Sequence, residues 1–247
     1  MCGRYAQTAD MRELMEQFEV TGTSPQSSLP LNWNIAPTNP IYIVRANDPS
    51  GNDIKSQKAL ATVSWGLIGP WLTDMQEARA SQSRAINARS ESIHEKPTFR
   101  NAFRSTRCLI PASGYYEWAT ALGQYRPKQP FFISARSGQQ LPIAGIWSSW
   151  TAPNGEVIET ASIITQEAQG ELESIHSRMP VFMPPDRWDL WLNPRNTDVN
   201  ELKSMIVVEH PESIVIARPV SDAVNSVANN GKELTVETPL GEPETLF

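Results

Sequence analysis

The spacing of apolar and polar residues predicts a chain built mainly from short β-strands, with fewer and shorter helices. A strand is expected close to the N-terminus, and the other predicted strands are residues 41–44, 60–65, 108–111, 115–118, 131–133, 143–147, 160–164 and 214–216. Helical spacing occurs in residues 11–18, for which Thr8 is the expected cap, and the other helical stretches are 98–104, 185–192 and 199–207.

No regular alternation of strand and helix runs through the chain, which argues against a doubly wound parallel sheet. The pattern predicts the α+β class: one domain of mostly antiparallel β-sheet, with a barrel-like β core and short peripheral helices. Residues 66–71 predict a turn, and the polar stretch 75–83 carries no predicted element. Residues 237–247 are acidic and contain Pro and Gly, so we expect a disordered tail after a domain that ends at residue 236.

Composition narrows the possible classes of protein. No stretch approaches the ~20 apolar residues of a membrane span, and no signal peptide opens the chain. The chain has two cysteines and three histidines, which excludes a disulfide framework and argues against a zinc site, so no metal or cofactor is expected. A reducing cytoplasm is the expected location.

The net charge of −6 argues weakly against a nucleic-acid partner, but the charge is unevenly distributed. Residues 84–107 contain six basic and two acidic residues, a local balance of +4, which leaves −10 for the remainder. Such a run is more often a solvated helix face than a binding groove, so it does not decide the function by itself.

The chain begins Met1-Cys2-Gly3, and this start carries the most distinctive candidate chemistry. Removal of Met1 would leave Cys2 with a free α-amine and a thiol on one residue. This 1,2-aminothiol has two possible uses. It can attack an acyl carbon with the amine as base, or it can condense with an aldehyde to an imine that closes to a thiazolidine. The ordinary alternative is a frayed terminus without function.

Other polar residues stand within or beside apolar strands. Asn87 follows Ile86, and Glu117 lies in an aromatic strand that would raise the pKa of its carboxyl. His176 precedes an apolar run, and Arg4 follows Cys2 by two residues. Each residue taken alone has an ordinary structural interpretation, such as a hydrogen-bonded core histidine or a carboxylate on a solvent face.

Taken together, the motifs resemble those of the SOS-response-associated peptidase (SRAP) family. Each motif is a weak pattern, but their order from residue 2 to about residue 234 is specific and spans nearly the whole chain. The matching motifs are Cys2–Tyr5, Trp33–Pro37, Trp65–Ile68, Ile86–Glu91, Lys96–Arg100, Arg107–Ala112, Gly114–Trp118, Ile175–Pro180, Pro219–Ser221 and Val224–Asn225.

The resemblance implies a sensor of abasic sites in single-stranded DNA. In this family the mature N-terminal cysteine forms a thiazolidine with the ring-opened sugar and shields the lesion. Carried over here, Cys2 supplies both reacting groups. Glu117 corresponds to the acid/base carboxylate, and His176 corresponds to the histidine that assists proton transfer and reversal. Asn87 would orient the lesion by hydrogen bonding.

The resemblance also implies a set of DNA contacts. The expected contacts are Arg4, Asn34, Pro37, Trp71, Arg89 and Arg178. The arginines would bind phosphates that flank the lesion. Trp71 would wedge against stacked bases. The insertion of Gly69 before Pro70 departs from the family pattern here.

Three functions from different classes stay open. The leading one is covalent cross-linking to abasic sites in single strands, with self-reversal and weak lyase activity; junctions between single strand and duplex are a further candidate substrate. The second is an N-terminal-cysteine peptidase or amidohydrolase, which includes self-removal of Met1. The third is a non-covalent single-strand-binding module in which Cys2 is incidental. We expect a monomer without membrane partners, associated with the nucleoid if the source is bacterial.

Overall fold

The computed structural model describes residues 2–48, 57–120, 125–126 and 128–240. The strands are β1 (Tyr5–Gln7), β2 (Asn32–Ile35), β3 (Pro40–Ala46), β4 (Lys58–Trp65), β5 (Asn87–Arg89), β6 (Arg107–Ala112), β7 (Gly114–Trp118), β8 (Pro130–Ala135), β9 (Leu141–Thr151), β10 (Val157–Glu167), β11 (Arg178–Pro180) and β12 (Val215–Pro219). The α-helices are α1 (Met11–Gln17), α2 (Met75–Arg84), α3 (Arg100–Ser105), α4 (Trp188–Leu192) and α5 (Val199–Met205). Five 3₁₀ helices complete these elements: Gly170–Ser174, Pro185–Arg187, Pro211–Ile214, Asp222–Asn225 and Lys232–Thr235.

Five strands close into a barrel in the order β10, β4, β3, β6, β9 and back to β10. All neighbours in the ring are antiparallel except β4 and β10, which run parallel. Closure leaves no unpaired edge within the ring. The predicted α+β fold with a barrel-like, mostly antiparallel core and short helices is therefore confirmed.

A second sheet, ordered β12-β8-β7-β1-β2, packs against the barrel. Strand residues alternate between two cores, as the period of a strand requires. Ile43 belongs to the core shared with the second sheet, where Cys2 and Tyr115 also lie. Tyr42 and Val44 belong to the core covered by helices α1, α4 and α5. The second sheet thus brings the start of the chain into the barrel's own core.

Strand β10 extends beyond the closed barrel. Its first part pairs with β9 and β4, and residues 163–165 then pair in parallel with β5, while residues 165–167 pair with β11. Asn87 lies opposite Ile163, Arg89 lies opposite Thr165, and Arg178 lies opposite Glu167. One extended strand therefore brings three predicted site residues to the same end of the barrel.

Two helix predictions were wrong. Asp10, not Thr8, caps α1: its carboxylate accepts from the backbone N–H of Glu13, while the Glu13 carboxylate accepts from the backbone N–H of Asp10. The backbone N–H and hydroxyl of Thr8 instead bond to the Ser113 hydroxyl. The stretch 75–83 lies in α2, which buries only Ala78 and Gln82, so its apolar stripe is too narrow to be recognised from periodicity.

The first residues of the expected C-terminal tail pair with the end of β12 and the residue after it. Glu237 bridges Val220, and the backbone N–H of Thr238 donates to the carbonyl of Pro219 at 2.9 Å. Residues 241–247 of the predicted disordered tail lie outside the described residues. No helix in the described part of the chain is both long and apolar enough to cross a membrane.

The last cation of the basic run 84–107 is a core residue. Arg107 is 2% exposed, and its guanidinium donates five hydrogen bonds to backbone carbonyls. The accepting carbonyls are those of Phe103, Arg104, Trp191, Asn193 and Asn196. Burial lowers the pKa of Arg107 to about 10. Arg107 therefore ties α3 to the end of α4 and does not line a DNA groove.

We expect Arg107→Ala to lower the free energy of unfolding by at least about 3 kcal/mol, because several buried carbonyls lose their donor. For a chain of this size the melting temperature would fall by roughly 6–12 °C. Thermal denaturation followed by circular dichroism measures this change. Arg104→Ala, at an exposed position of the preceding helix α3, is the control and should stay within about 0.5 kcal/mol. Equal stability of both variants would contradict the structural role.

Candidate functional site

Cys2 lies inside the shared core rather than at a frayed end. Its side chain is 1% exposed, and its backbone carbonyl accepts a hydrogen bond from Nδ2 of Asn87 at 2.8 Å. The other amide atom of Asn87, Oδ1, is buried without a hydrogen-bond partner among the described residues. Such an acceptor is costly to leave unmatched, so it is a candidate to receive a hydrogen bond from a reacting group.

The Cys2 thiol is not an activated thiolate. Burial raises its pKa well above the ordinary value, and the negative charge of Glu117 raises it further. A thiol in this environment is protonated at neutral pH. Antiparallel pairing of Tyr5 with Tyr115, and the bond from the Tyr116 N–H to the Arg4 carbonyl, bring Glu117 alongside the first residues of the chain.

Glu117 belongs to β7, and its side chain lies on the opposite face of the strand from that of Tyr116. Tyr115 lies in the shared core with Cys2, whereas Tyr116 packs in a separate cluster with Phe132. Glu117 is 3% exposed, and burial raises the pKa of its carboxyl to about 7. This carboxyl therefore exchanges a proton near neutral pH, which is the property of a general acid and base.

His176 follows the 3₁₀ helix Gly170–Ser174 and is partly buried. Its Nδ1 accepts a hydrogen bond from the backbone N–H of Arg178 at 2.9 Å, and burial lowers the pKa of the ring. A nitrogen that accepts carries no proton, so Nε2 carries the proton of the neutral imidazole. His176 is therefore arranged to donate from Nε2.

His176 lines an open pocket of about 640 Å³ at the extended end of β10. The other lining residues are Arg89, Glu167, Ala168, Glu173, Ser177 and Arg178. Two guanidinium groups are thus matched by two carboxylates. The pocket is not a simple cationic groove, and its charges are mixed.

The guanidinium of Arg178 is already engaged. Nη1 and Nη2 donate to the two carboxylate oxygens of Glu91 at 2.6 and 3.0 Å, and Nη2 also donates to the carbonyl of Thr165 at 2.7 Å. Arg89, in contrast, is exposed. Sequence reasoning gave Glu91 no role, although its position two residues after Arg89 in one motif was a signal.

Arg4 and Asn34 form a network in the second sheet. Nη1 of Arg4 donates to Oδ1 of Asn34 at 2.8 Å and to the carbonyl of Val224 at 2.9 Å. Asn34 is 3% exposed, and its Nδ2 donates to the carbonyls of Ser226 and Asn229, each at 2.9 Å. These two residues anchor the segment 224–229, and their contact with DNA stays a prediction.

The amino-acid sequence of the chain also matches a known protein family. The model of the SOS response associated peptidase (SRAP) family matches residues 1–227. The chain belongs to this family. The prediction from the ordered motifs is confirmed.

Curated relatives cover almost the whole SRAP chain. The abasic site processing protein YoqW of Bacillus subtilis is 35% identical over 234 residues, which are 95% of this chain and 98% of that protein. The abasic site processing protein YMR114C of Saccharomyces cerevisiae is 26% identical and covers 100% of this chain and 70% of its own length. The abasic site processing protein HMCES of mouse is 29% identical, with coverages of 85% and 62%.

Solved structures share the fold. A protein from Bacteroides thetaiotaomicron superposes with a TM-score of 0.82 at 23% identity and covers 96% of this chain and 100% of its own. A phage-related protein from Bordetella bronchiseptica superposes with a TM-score of 0.63 at 26% identity, with coverages of 89% and 94%.

Two predicted DNA contacts of the SRAP chain lie in loops. Pro37 precedes Thr38, whose φ of 70° is unusual for a β-branched residue, in a turn closed by the bond from Asn39 N–H to the Ala36 carbonyl. Trp71 is 50% exposed, and its ring lies over Gly69 so closely that a Cβ there would come within 2.5 Å of a ring carbon. The inserted glycine thus makes room for the indole.

The described contacts join the site residues in separate groups. Cys2, Asn87 and Glu117 belong together, and His176, Arg89 and Arg178 share the pocket at the end of β10. Arg4 and Asn34 form a third group. Trp71 lines a different pocket of about 220 Å³ with residues of α3, and no described contact joins it to Cys2.

The pH dependence of stability tests the environment of Glu117. Its carboxyl has a pKa of about 7 in the folded chain against 4.5 as its ordinary value. Between these values the folded state binds the extra proton, so the free energy of unfolding falls as pH rises from about 5 to 8. Glu117→Gln removes this loss, and its stability relative to wild type should rise over that range by an amount on the order of 3 kcal/mol.

Melting temperatures of both proteins between pH 5 and 8 measure this difference. Glu156→Gln, at an exposed loop position, is the matched control and should show no trend. A difference between Glu117→Gln and wild type that stays constant with pH would contradict a raised pKa.

Proposed function

We propose that this SRAP chain processes abasic sites in single-stranded DNA by covalent capture at Cys2 after removal of Met1. The relatives named as abasic site processing proteins support the substrate. The observation that carries the mechanism is the buried position of Cys2. Its carbonyl accepts a hydrogen bond from Asn87, and Glu117 lies beside it.

The reaction begins at the amine. The α-amine of Cys2 adds to the aldehyde carbon of the ring-opened sugar and gives a carbinolamine, which loses water to become an imine. The thiol sulfur then adds to the imine carbon, and its proton passes to nitrogen as the thiazolidine ring closes. One water is released overall, and no oxidant or cofactor is consumed.

Glu117 suits the proton transfers of this sequence. In its protonated form it can deliver a proton to the departing hydroxyl of the carbinolamine. In its ionised form it can take the proton of the thiol as sulfur attacks. A pKa of about 7 keeps both forms populated at neutral pH.

Asn87 and His176 suit supporting roles. Oδ1 of Asn87 is a buried acceptor beside Cys2 and can hold an N–H of the mature amine or a hydroxyl of the opened sugar. Nε2 of the neutral His176 can donate to a sugar or phosphate oxygen in the pocket. A donor at this position would assist opening of the sugar ring and reversal of the cross-link.

The state of the thiol favours this function over peptide hydrolysis. A cysteine peptidase that works through a preformed thiolate needs nearby cations that lower the pKa of the thiol. Burial and Glu117 act on Cys2 in the opposite direction. Amine-first condensation has no such need, because the thiol reacts only after the imine has formed next to it.

The DNA strand would pass the pocket at the end of β10. Arg89 and Arg178 line it and are suited to phosphates, and Arg4 would contact a phosphate farther along the strand from the second sheet. Self-reversal, lyase activity through the imine and release of Met1 by the chain itself would be secondary activities of the same residues.

A cross-linking experiment tests the proposal. After intact mass shows loss of Met1, the protein is mixed with a single-stranded oligonucleotide that carries one abasic site and is run on a denaturing gel. We expect a heat-stable shifted band from wild type. Cys2→Ala, also without Met1, should give a band only after borohydride reduction, because an imine forms but no thiazolidine does.

Cys108→Ala is the matched control, since Cys108 is equally buried in the same core and should leave the band intact. No band from wild type that begins at Cys2 would exclude the proposal and direct attention to peptide substrates. Unchanged DNA retention by every variant, without any covalent band, would favour a non-covalent binding module.

A second prediction concerns rate. Glu117→Gln should slow cross-link formation by roughly 10²-fold or more, the usual effect of losing a positioned acid and base. Single-turnover time courses at pH 7 measure it, with Glu156→Gln as the control. A rate within about twofold of wild type would show that Glu117 transfers no proton in the slow step.

A further inference from the structure

The ion pair between Glu91 and Arg178 has the geometry that arginine uses for phosphate. Both carboxylate oxygens face the two terminal nitrogens, at 2.6 and 3.0 Å. Arginine binds carboxylates and phosphates through the same planar fork, so one anion excludes the other from this edge. In the DNA-free protein, the fork of Arg178 is therefore filled by the protein's own carboxylate.

The two partners differ in how firmly they are held. The side chain of Arg178 is 11% exposed, and its Nη2 also donates to the carbonyl of Thr165 at 2.7 Å. The side chain of Glu91 is 48% exposed. The guanidinium is thus held by the Thr165 carbonyl on the protein side. The carboxylate of Glu91 lies on the solvent side, where rotation of its side chain would free Arg178.

Glu91 is also under the influence of a second cation. Although partial burial disfavours its charged form, the hydrogen bonds from Arg178 and the charges of Arg178 and Arg89 lower its pKa. The carboxylate therefore stays ionised at neutral pH, close to both guanidinium groups that line the pocket.

We propose that Glu91 is an internal competitor for DNA phosphate, which occupies the anion position of Arg178 until a strand displaces it. The proposal rests on the proposed function in one respect, namely that DNA crosses the pocket lined by Arg89 and Arg178. It adds to that function a residue that limits the binding of undamaged DNA.

The competition lowers the non-covalent affinity for damaged and undamaged strands alike. Every strand must break the Glu91–Arg178 pair to reach Arg178, which weakens non-covalent binding. A partly exposed ion pair of this kind is worth up to about a fivefold change in affinity. A strand with an abasic site is then retained by the covalent bond, whereas an undamaged strand has no such compensation. Glu91 therefore limits occupation of the site by undamaged strands and leaves the covalent retention of a captured lesion unaffected.

The experiment compares affinities for an undamaged single-stranded oligonucleotide by fluorescence anisotropy at several salt concentrations. Glu91→Gln, which keeps the size of the side chain, should bind up to about fivefold more tightly than wild type at low salt. Glu173→Gln is the matched control, because it removes an equal charge from the pocket that Arg178 lines without touching the fork of Arg178.

A double-mutant cycle separates competition from a general change in charge. In an Arg178→Gln background, the gain from Glu91→Gln should shrink to the small gain of Glu173→Gln. Tighter binding by Glu91→Gln that persists in that background would overturn the proposal. Unchanged or weaker binding by Glu91→Gln would also overturn it, since the pair would then only position Arg178.

Failure of this inference is distinguishable from failure of the proposed function. The affinities concern undamaged DNA and need no covalent step, so an absent cross-link leaves the comparison intact. A protein that cross-links abasic DNA but shows no gain from Glu91→Gln would retain the proposed function and refute the competition. Absence of any DNA binding would refute both.

Discussion

The structure depends most on strand β10, which extends beyond the residues that close the barrel. Closure uses the first part of β10, and the remaining residues are free to pair with β5 on one side and β11 on the other. Backbone hydrogen bonds along this extension fix Arg89 and Arg178 in register on two otherwise unrelated segments. The same extension fixes Asn87, whose amide holds the carbonyl of Cys2. If β10 ended where the barrel closes, β5 and β11 would have no shared strand to pair with.

Burial raises the pKa of two groups near this strand, the Cys2 thiol and the Glu117 carboxyl. Removing water from Cys2 and Glu117 disfavours the charged form of each, and the charge of Glu117 further disfavours a thiolate at Cys2. The result is a neutral thiol beside a carboxyl that titrates near pH 7. These two properties suit a reaction in which the amine acts first, and they are unfavourable for a preformed thiolate nucleophile. The proposed chemistry thus depends on packing the first residues of the chain inside a core.

Much of this arrangement was predictable from sequence, and the failures have physical causes. Apolar runs predicted most barrel strands, and the aromatic context of Glu117 predicted its raised pKa. The polar helix α2 has too few buried residues to be predicted from its pattern. Thr8 and Asp10 are equally suited to cap α1, but the Thr8 hydroxyl is hydrogen-bonded to Ser113 and Asp10 is the cap. Burial of Arg107 depends on carbonyls more than 80 residues away, which no local pattern reveals.

The charges of the site explain how an acidic chain can present a surface to DNA without an empty cationic groove. Arg178 binds Glu91, Arg4 binds Asn34 and a backbone carbonyl, and Arg107 is enclosed by carbonyls. Arg89 differs from these three arginines in being exposed. Because Arg178 and Arg4 already have partners, a phosphate gains only the difference between its own interaction and the one it replaces. Weak non-covalent binding is then expected from the arrangement of charges, and in the proposed mechanism the covalent bond at Cys2 retains the lesion.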